Sequence, residues 1–113
     1  MERYVPDRSD VVWISFHPQA GREQAGRRPA VVLTGREYNE KVGLALCCPV
    51  TSRVKGYAFE VPLPAGLGLE GVVLSDHVKS LDWKVRRAEP AGKVSDETLE
   101  EIIGKLSALL ENV

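Results

Sequence analysis

The chain has 113 residues and a mass of 12.4 kDa, which is the length of one compact domain, so a two-domain enzyme is excluded and we predict a single domain spanning residues 1–113. With 43% hydrophobic and 27% charged residues, the composition excludes a disordered or fibrous chain. The net charge is −1 but unevenly spread: residues 1–93 carry +3 and residues 94–113 carry −4. This distribution indicates a mildly basic body and an acidic tail.

The sequence predicts a soluble, cytoplasmic protein without a metal or cofactor. The N-terminus is polar and lacks the apolar segment of a signal peptide, and no run reaches the roughly 20 apolar residues of a membrane helix. Cys47 and Cys48 are adjacent, so on a strand they point to opposite faces and form no disulfide framework. With His17 and His77 they also lack the spacing of a metal site.

Apolar and β-branched runs predict at least five strands, separated by polar loops. The predicted strands cover residues 11–16, 30–34, 43–50, 57–63 and 71–75, with a further strand or two between 78 and 86. Residues 35–41 are polar and are predicted to form a turn. Loops are predicted at 18–29 and 51–56, and the first is unusually long for so small a domain.

The strand predicted at 57–63 carries two aromatic side chains on one face. Residues 57–63 alternate with period two, which places Tyr57 and Phe59 on the same face as Val61. Trp13, in the first strand, is predicted to lie in the core, whereas Tyr57 and Trp83 either stack on a ligand or pack internally.

The period changes to that of a helix after Ser95, which suits the N-cap, with Asp96 and Glu97 in the first turn. Six apolar residues recur at three- and four-residue steps: Leu99, Ile102, Ile103, Leu106, Leu109 and Leu110. Short strands followed by one helix predict a mainly β fold, namely a small, curved antiparallel barrel with a C-terminal helix.

Three polar segments contain candidate chemical groups. The first loop carries Glu23, Gln24, Arg27 and Arg28, and the stiff Pro29 anchors Arg28 at the start of a strand. Composition alone favours a solvated loop with a surface ion pair over a functional site. The second segment is Thr51, Ser52, Arg53 and Lys55, whose hydroxyls either bind a phosphate or cap a turn. The third is Asp76 with His77, residues that often serve only in turns and packing.

The order of these segments resembles the MazF/PemK family of bacterial toxins over nearly the whole chain. The matching motifs are E-Q-x-G-x-R-P at 23–29, P-x-T at 49–51 and K-G-Y at 55–57. The resemblance implies an SH3-like barrel, a homodimer, and sequence-specific, metal-independent cleavage of single-stranded messenger RNA that inhibits translation and growth. It also implies a MazE-like antitoxin whose flexible tail covers the RNA groove.

The resemblance implies catalytic roles for Arg28, Thr51 and Glu23. Metal-free cleavage uses the adjacent 2′-hydroxyl as nucleophile and leaves a 2′,3′-cyclic phosphate and a 5′-hydroxyl. The guanidinium of Arg28 fits stabilisation of the developing phosphate charge, because its fork can grip two oxygens. Thr51 would hydrogen-bond the phosphate or the 2′-hydroxyl, and Glu23 is the nearest candidate base.

RNA contacts are predicted for a wider set of side chains, mostly basic ones that bind the backbone. These are Gln24, Arg27, Ser52, Arg53, Lys55, Tyr57, Asp76, His77, Lys79 and Arg86. The chain departs from the family at two positions: Leu74 replaces the Arg of an Arg-x-Asp pair used by some relatives, and His77 stands where Gln is common. A His17/His77 acid–base pair is a further hypothesis, although nothing in the sequence brings the two together.

Two other function classes compete with this interpretation. CcdB-like proteins of the same fold family poison DNA gyrase without cutting RNA, but they end in Trp-Gly-Ile, whereas this chain ends in Leu-Glu-Asn-Val. An inactive RNA-binding barrel would not need Glu23, Arg28 and Thr51 together. For the dimer interface, the predicted exposed apolar residues are Leu67, Leu69 and Val113.

Overall fold

The computed structural model describes residues 3–16 and 26–111. Within these residues the strands are β1 (Asp10–Ser15), β2 (Arg27–Val32), β3 (Ala45–Thr51), β4 (Glu60–Pro62), β5 (Val72–Leu74), β6 (Lys79–Leu81) and β7 (Glu89–Lys93). The same ranges contain the helices α1 (Arg36–Val42) and α2 (Asp96–Glu111), with a 3₁₀ turn at Ser75–His77. The predicted His17, Glu23, Gln24 and Val113 lie outside the described residues.

The strands form one antiparallel sheet in the order β4-β5-β3-β2-β1-β7, with β6 also paired to β3. The predicted fold class, a mainly β domain with a C-terminal helix, is confirmed. The sheet neither closes on itself nor curls strongly, so it is more open than the predicted barrel.

The core consists of two apolar clusters, which contain alternate residues of the central strands. Val11, Val31 and Cys48 belong to the cluster that includes Leu99 and Ile102 of α2. The other cluster contains Val12, Ile14, Ala30, Cys47 and Trp83. The two cysteines therefore point in opposite directions, as predicted, and burial raises the pKa of each thiol to about 12.

The prediction of a turn at residues 35–41 is wrong, because Arg36–Val42 forms helix α1. The helix has little apolar surface, and a buried asparagine fixes it instead. The side-chain amide of Asn39 donates to the carbonyls of Pro6 and Thr34, and its backbone carbonyl accepts from the indole of Trp83. Such tertiary contacts leave no periodic signal in the sequence.

One strand is shorter than predicted, and another strand was not predicted. The strand predicted at 57–63 is only the three-residue β4, and Tyr57 and Phe59 precede it with their rings in edge contact 6.1 Å apart. Strand β7 was not predicted, because it contains Pro90 and Gly92, which are uncommon within strands.

The burial of several apolar side chains differs from the prediction. Trp13 is 38% exposed and does not lie in the core, whereas Trp83 is buried. Leu67 and Leu69 are not free surface residues, because both are partly buried against the first cluster. These corrections leave Trp13 open to solvent at the edge of the site described below.

Helix α2 begins where predicted, with the Ser95 hydroxyl accepting the amide N–H of Thr98 at 3.2 Å. Leu99 and Ile102 are buried, while Leu109 and Leu110 remain exposed. In the described part of the chain, neither helix is long and apolar enough to cross a membrane.

Candidate active site

An open cleft of about 430 Å³ lies where β2 begins and β3 ends. These strands pair antiparallel with Ala30 opposite Pro49. Continuing that register by two residues places Arg28 beside Thr51, and residues opposite one another in a pair share a face. Both side chains line the cleft, together with Trp13, Pro29, Val50, Ser52, Arg53, Leu69 and Glu70.

The two adjacent arginines at the start of β2 have different surroundings. The guanidinium of Arg27 donates to the carbonyls of Trp13 and Arg87 and to the carboxylate of Glu89, which accepts at 3.0 Å. Longer contacts reach Ser15 and Arg86. Among the described residues, none forms a hydrogen bond or ion pair with the Arg28 side chain, which lines the cleft with its five N–H donors.

Thr51 is held in place by a turn and by a glycine. Its Oγ1 accepts the amide N–H of Arg53 at 3.1 Å, which leaves the hydroxyl proton free to donate into the cleft. Gly71 lies against the backbone of Thr51, and a Cβ there would sit 2.2 Å from the Thr51 carbonyl oxygen. Only glycine therefore fits at this position, where φ is +130°.

A second concavity, of about 290 Å³, shares Thr51 and Arg53 with the cleft. It is also lined by Lys55, Tyr57, Glu60, Leu74 and His77. The Tyr57 hydroxyl lies 2.7 Å from both carboxylate oxygens of Asp76 and 3.4 Å from Nε2 of His77. The hydrogen bond to Asp76 raises the pKa of Tyr57 to about 12, so its phenol stays protonated near neutral pH.

Glu60 is a site residue that the sequence interpretation missed. Its side chain is 8% exposed and lines the second concavity. One carboxylate oxygen accepts the amide N–H of Lys55 at 2.9 Å, and the other accepts that of Gly56 at 2.8 Å. In the sequence Glu60 had the pattern of an outward-facing strand residue, so no signal distinguished it.

The predicted residues are thus largely, but not entirely, brought together. The cleft contains Arg27, Arg28, Thr51, Ser52 and Arg53, and the second concavity contains Lys55, Tyr57 and His77, with Asp76 bound to Tyr57. Asp76 does not itself line either space, and two further predicted residues lie elsewhere: Arg86 donates to the carbonyls of Ser15 and Phe16, and Lys79 lies 5.8 Å from the Phe16 ring. Trp13 enters the cleft although the sequence assigned it to the core.

The arrangement brings basic groups and a hydroxyl around an open groove, which suits a phosphodiester. No cluster of three His, Cys, Asp or Glu side chains in the described ranges is arranged to hold a metal ion. Residues 7–110 match the family model described as PemK-like, MazF-like toxin of type II toxin-antitoxin system. The chain belongs to the PemK/MazF family. The predicted resemblance is confirmed.

Curated relatives of this PemK/MazF-family toxin match it along its length. The chain is 48% identical over 110 residues to the endoribonuclease toxin MazF of Escherichia coli K12, covering 97% of this chain and 98% of that protein. It is 38% identical to the endoribonuclease toxin ChpB of the same strain, covering 93% and 94% respectively.

Solved PemK/MazF-family structures have the same fold. MazF from Deinococcus radiodurans superposes with a TM-score of 0.88 at 57% identity, covering 96% of this chain and 99% of that one. A MazE–MazF crystal structure from the same organism gives a TM-score of 0.85 at 52% identity, covering 96% and 97%. A mycobacterial endoribonuclease at 17% identity shares the fold, with a TM-score of 0.77.

Proposed function

We propose that this MazF-type endoribonuclease toxin cuts single-stranded RNA, messenger RNA above all, in the cleft between β2 and β3. The reaction uses the 2′-hydroxyl next to the scissile phosphate as nucleophile and needs no metal ion. It leaves a 2′,3′-cyclic phosphate and a 5′-hydroxyl. The observation that carries the proposal is that Arg28, whose guanidinium bonds to no other described residue, lines the same open cleft as Thr51.

Arg28 stabilises the transition state in this proposal. Negative charge builds up on the non-bridging oxygens as the 2′-oxygen attacks phosphorus, and a planar fork of N–H donors can bind two of those oxygens at once. Because no other described residue bonds to the guanidinium of Arg28, its donors are proposed to tighten on the phosphate as its charge grows. Arg27 serves differently, since its donors hold the backbone of the neighbouring strand and turn.

Thr51 and Glu23 complete the proposed chemistry. Thr51 donates its hydroxyl proton to a phosphate oxygen while the Arg53 amide holds its Oγ1 in position. Glu23, six positions before Pro29 in the matching motif, is proposed as the base that takes the proton of the 2′-hydroxyl. As the 2′-oxygen bonds to phosphorus, the bond from phosphorus to the 5′-oxygen breaks, and this departing oxygen takes a proton from solvent water in the open cleft.

The groups around the cleft and the second concavity are proposed to bind the RNA chain. Ser52, Arg53 and Lys55 are proposed to contact the RNA backbone, and the exposed faces of Trp13 and Tyr57 to stack on bases. Asp76 and His77 lie beside Tyr57 and are proposed to contact a base edge. Gln24, Arg27, Lys79 and Arg86 remain predicted contacts, and for the two internally bonded arginines we propose a supporting role.

The cellular setting follows from the family. We propose a cytoplasmic homodimer that inhibits translation and growth under stress until a MazE-like antitoxin binds it. The solved MazE–MazF complex of the Deinococcus relative supports the partner. The CcdB-like alternative, a gyrase poison, is not favoured, because the curated relatives are named as endoribonucleases.

The test is to incubate the purified protein with a long unstructured RNA in excess EDTA and to map the new ends. We expect discrete cuts with 5′-hydroxyl and cyclic or 3′-phosphate termini. Arg28→Ala is expected to lower kcat about 100- to 1,000-fold, the usual cost of losing one charge-stabilising donor group. Arg36→Ala is the matched control, because it removes a guanidinium that lines a different cavity at the other end of β3.

Three results would refute the proposal. If micromolar protein leaves the RNA intact, the proposed nuclease activity is contradicted. The gyrase poison and the inactive RNA-binding barrel would then be the remaining alternatives. Cuts that vanish in EDTA would show that a metal is required. Cleavage by Arg28→Ala at the rate of Arg36→Ala would remove Arg28 from the mechanism.

A further inference from the structure

A buried carboxylate lies among the basic residues of the second concavity. Glu60 shares this space with Arg53 and Lys55, where an RNA phosphate would be repelled by a negative charge. Direct contact with RNA therefore does not explain its position. Its burial argues the same way, since a carboxylate is rarely buried without polar partners inside the protein.

The partners of Glu60 are backbone amides of the segment that follows β3. Both carboxylate oxygens are used, one by the N–H of Lys55 at 2.9 Å and one by that of Gly56 at 2.8 Å. Bonds of this kind, with an ionised acceptor, are about twice as strong as neutral ones. Two consecutive amides are thereby fixed to one side chain at the start of β4.

The strand that carries this carboxylate is itself held from the other side. The ammonium group of Lys105 on α2 donates to the backbone carbonyl of Glu60 at 3.0 Å. The amide of Glu60 in turn donates to the carbonyl of Tyr57 at 3.1 Å. The backbone that carries the acceptor is therefore bonded to α2 and is also paired with Leu74 of β5, outside the loop.

The segment held in this way contains several of the proposed RNA contacts. Residues 53–57 have no helix or strand, and every residue from 52 to 58 is exposed. Without a clamp, binding RNA would have to order this backbone at a cost in conformational entropy. A segment already fixed avoids that cost and binds more tightly.

We propose that Glu60 is a positioning residue for RNA binding: its carboxylate holds the Lys55–Gly56 backbone so that Arg53, Lys55 and Tyr57 face the substrate before it arrives. The proposal rests on the proposed function for its effect on RNA, but the clamp itself is a property of the free protein. Its two consequences, on loop backbone and on substrate affinity, can be measured separately.

The experiment compares Glu60→Gln and Glu60→Met with wild type. Glutamine keeps the shape but accepts through one oxygen only, whereas methionine fills the space and accepts from neither amide. Glu100→Gln, on the exposed side of α2, is the matched control for loss of one negative charge. Hydrogen exchange of the Lys55 and Gly56 amides is measured without RNA, and KM and kcat are measured on a short RNA that contains one cleavage site.

We expect exchange at these two amides to rise about tenfold or more in Glu60→Met and by less in Glu60→Gln, without a similar rise in the amides of β3. KM is expected to rise about tenfold in Glu60→Met with kcat within twofold of wild type. The control is expected to match wild type in all three values.

The proposal is overturned if exchange at Lys55 and Gly56 is unchanged in Glu60→Gln, which preserves the packing of the site. It is equally overturned if exchange rises but KM does not, or if kcat falls while KM is constant, because the last result would mean a direct role in the chemistry. A wild-type protein that cuts no RNA would instead contradict the proposed function, and the exchange measurement would still decide whether the clamp exists.

Discussion

The contact between Gly71 and Thr51 allows a sharp test of how the cleft is built. An added Cβ at Gly71 would lie 2.2 Å from the Thr51 carbonyl oxygen and 3.2 Å from the Cα of Ser52. Carbon and oxygen atoms in contact normally stay about 3.3 Å apart or more, so the backbone of Thr51 must move by about 1 Å in Gly71→Ala. The contacted atoms are backbone, so no side-chain rotation relieves the contact.

The expected loss of stability in Gly71→Ala has two parts. Holding alanine at a φ of +130° costs about 1–3 kcal/mol, and forcing the strands apart costs about 1–3 kcal/mol more. The free energy of unfolding should therefore fall by about 2–6 kcal/mol. A domain of this length has roughly 6–17 kcal/mol in total, so most of that range leaves the protein folded at low temperature. A displacement of about 1 Å at Thr51 should lower kcat about 100-fold.

Gly68→Ala is the matched control. Its φ is also positive, at +72°, but no atom lies within 4 Å of the added Cβ. Gly68→Ala should therefore lower the free energy of unfolding only by the backbone strain of about 1–2 kcal/mol, with kcat unchanged. Urea unfolding gives the stability of both variants, and single-turnover RNA cleavage gives the rate. Equal stability losses in the two variants, with normal cleavage by Gly71→Ala, would refute the view that this close approach positions Thr51.

Two further predictions concern ionisation. The hydrogen bond to Asp76 raises the pKa of Tyr57 to about 12, so the stability from this contact is complete below pH 10 and is lost as the pH rises through 12. Asp76→Asn should return the pKa of Tyr57 toward 10. The ring NMR signals of Tyr57, recorded as a function of pH, measure this pKa. Burial raises the pKa of Cys47 and Cys48 to about 12, so iodoacetamide at mildly alkaline pH should leave both thiols unmodified until urea unfolds the chain.

The results that contradict these two predictions are equally direct. A Tyr57 that titrates at the same pH in wild type and Asp76→Asn would mean that the carboxylate does not set its pKa. Thiols that react in the folded protein as fast as in urea would contradict the burial of the cysteines. Iodoacetamide labelling resolved by peptide mapping would show which of the two is accessible.

The sequence is informative where burial alone decides the structure. β1 and β3 follow apolar runs that no other structure accommodates as well, and the helix after Ser95 shows both its cap and its periodicity. Helix α1 is different, because it depends on the buried amide of Asn39 and on a carbonyl that receives the indole of Trp83. Pro6, whose carbonyl accepts from the Asn39 amide, lies 33 residues away and Trp83 lies 44 residues away, so a local sequence pattern cannot show either contact.

The same limit applies to the site. Arg27 and Arg28 are the same residue type and adjacent in the sequence. Only the pairing of β2 with its neighbours shows that Arg27 holds backbone carbonyls, whereas the side chain of Arg28 lines the cleft and bonds to no other described side chain or carbonyl. Glu60 was missed because its role depends on the position of two amides in a loop. The motif resemblance located the site, whereas assigning separate tasks to its residues required the strand register.

The two edge strands of the sheet are poorly suited to pairing with strands of other molecules. β4 and β7 are the terminal strands of the β4-to-β7 path, and each contains an exposed proline, Pro62 and Pro90. Proline has no amide hydrogen to offer, so neither strand presents an unbroken row of donors to a strand of another molecule. At β7 the flanking charges of Glu89 and Lys93 add to this effect. This edge chemistry disfavours the edge-to-edge pairing of strands from different molecules that builds fibrils.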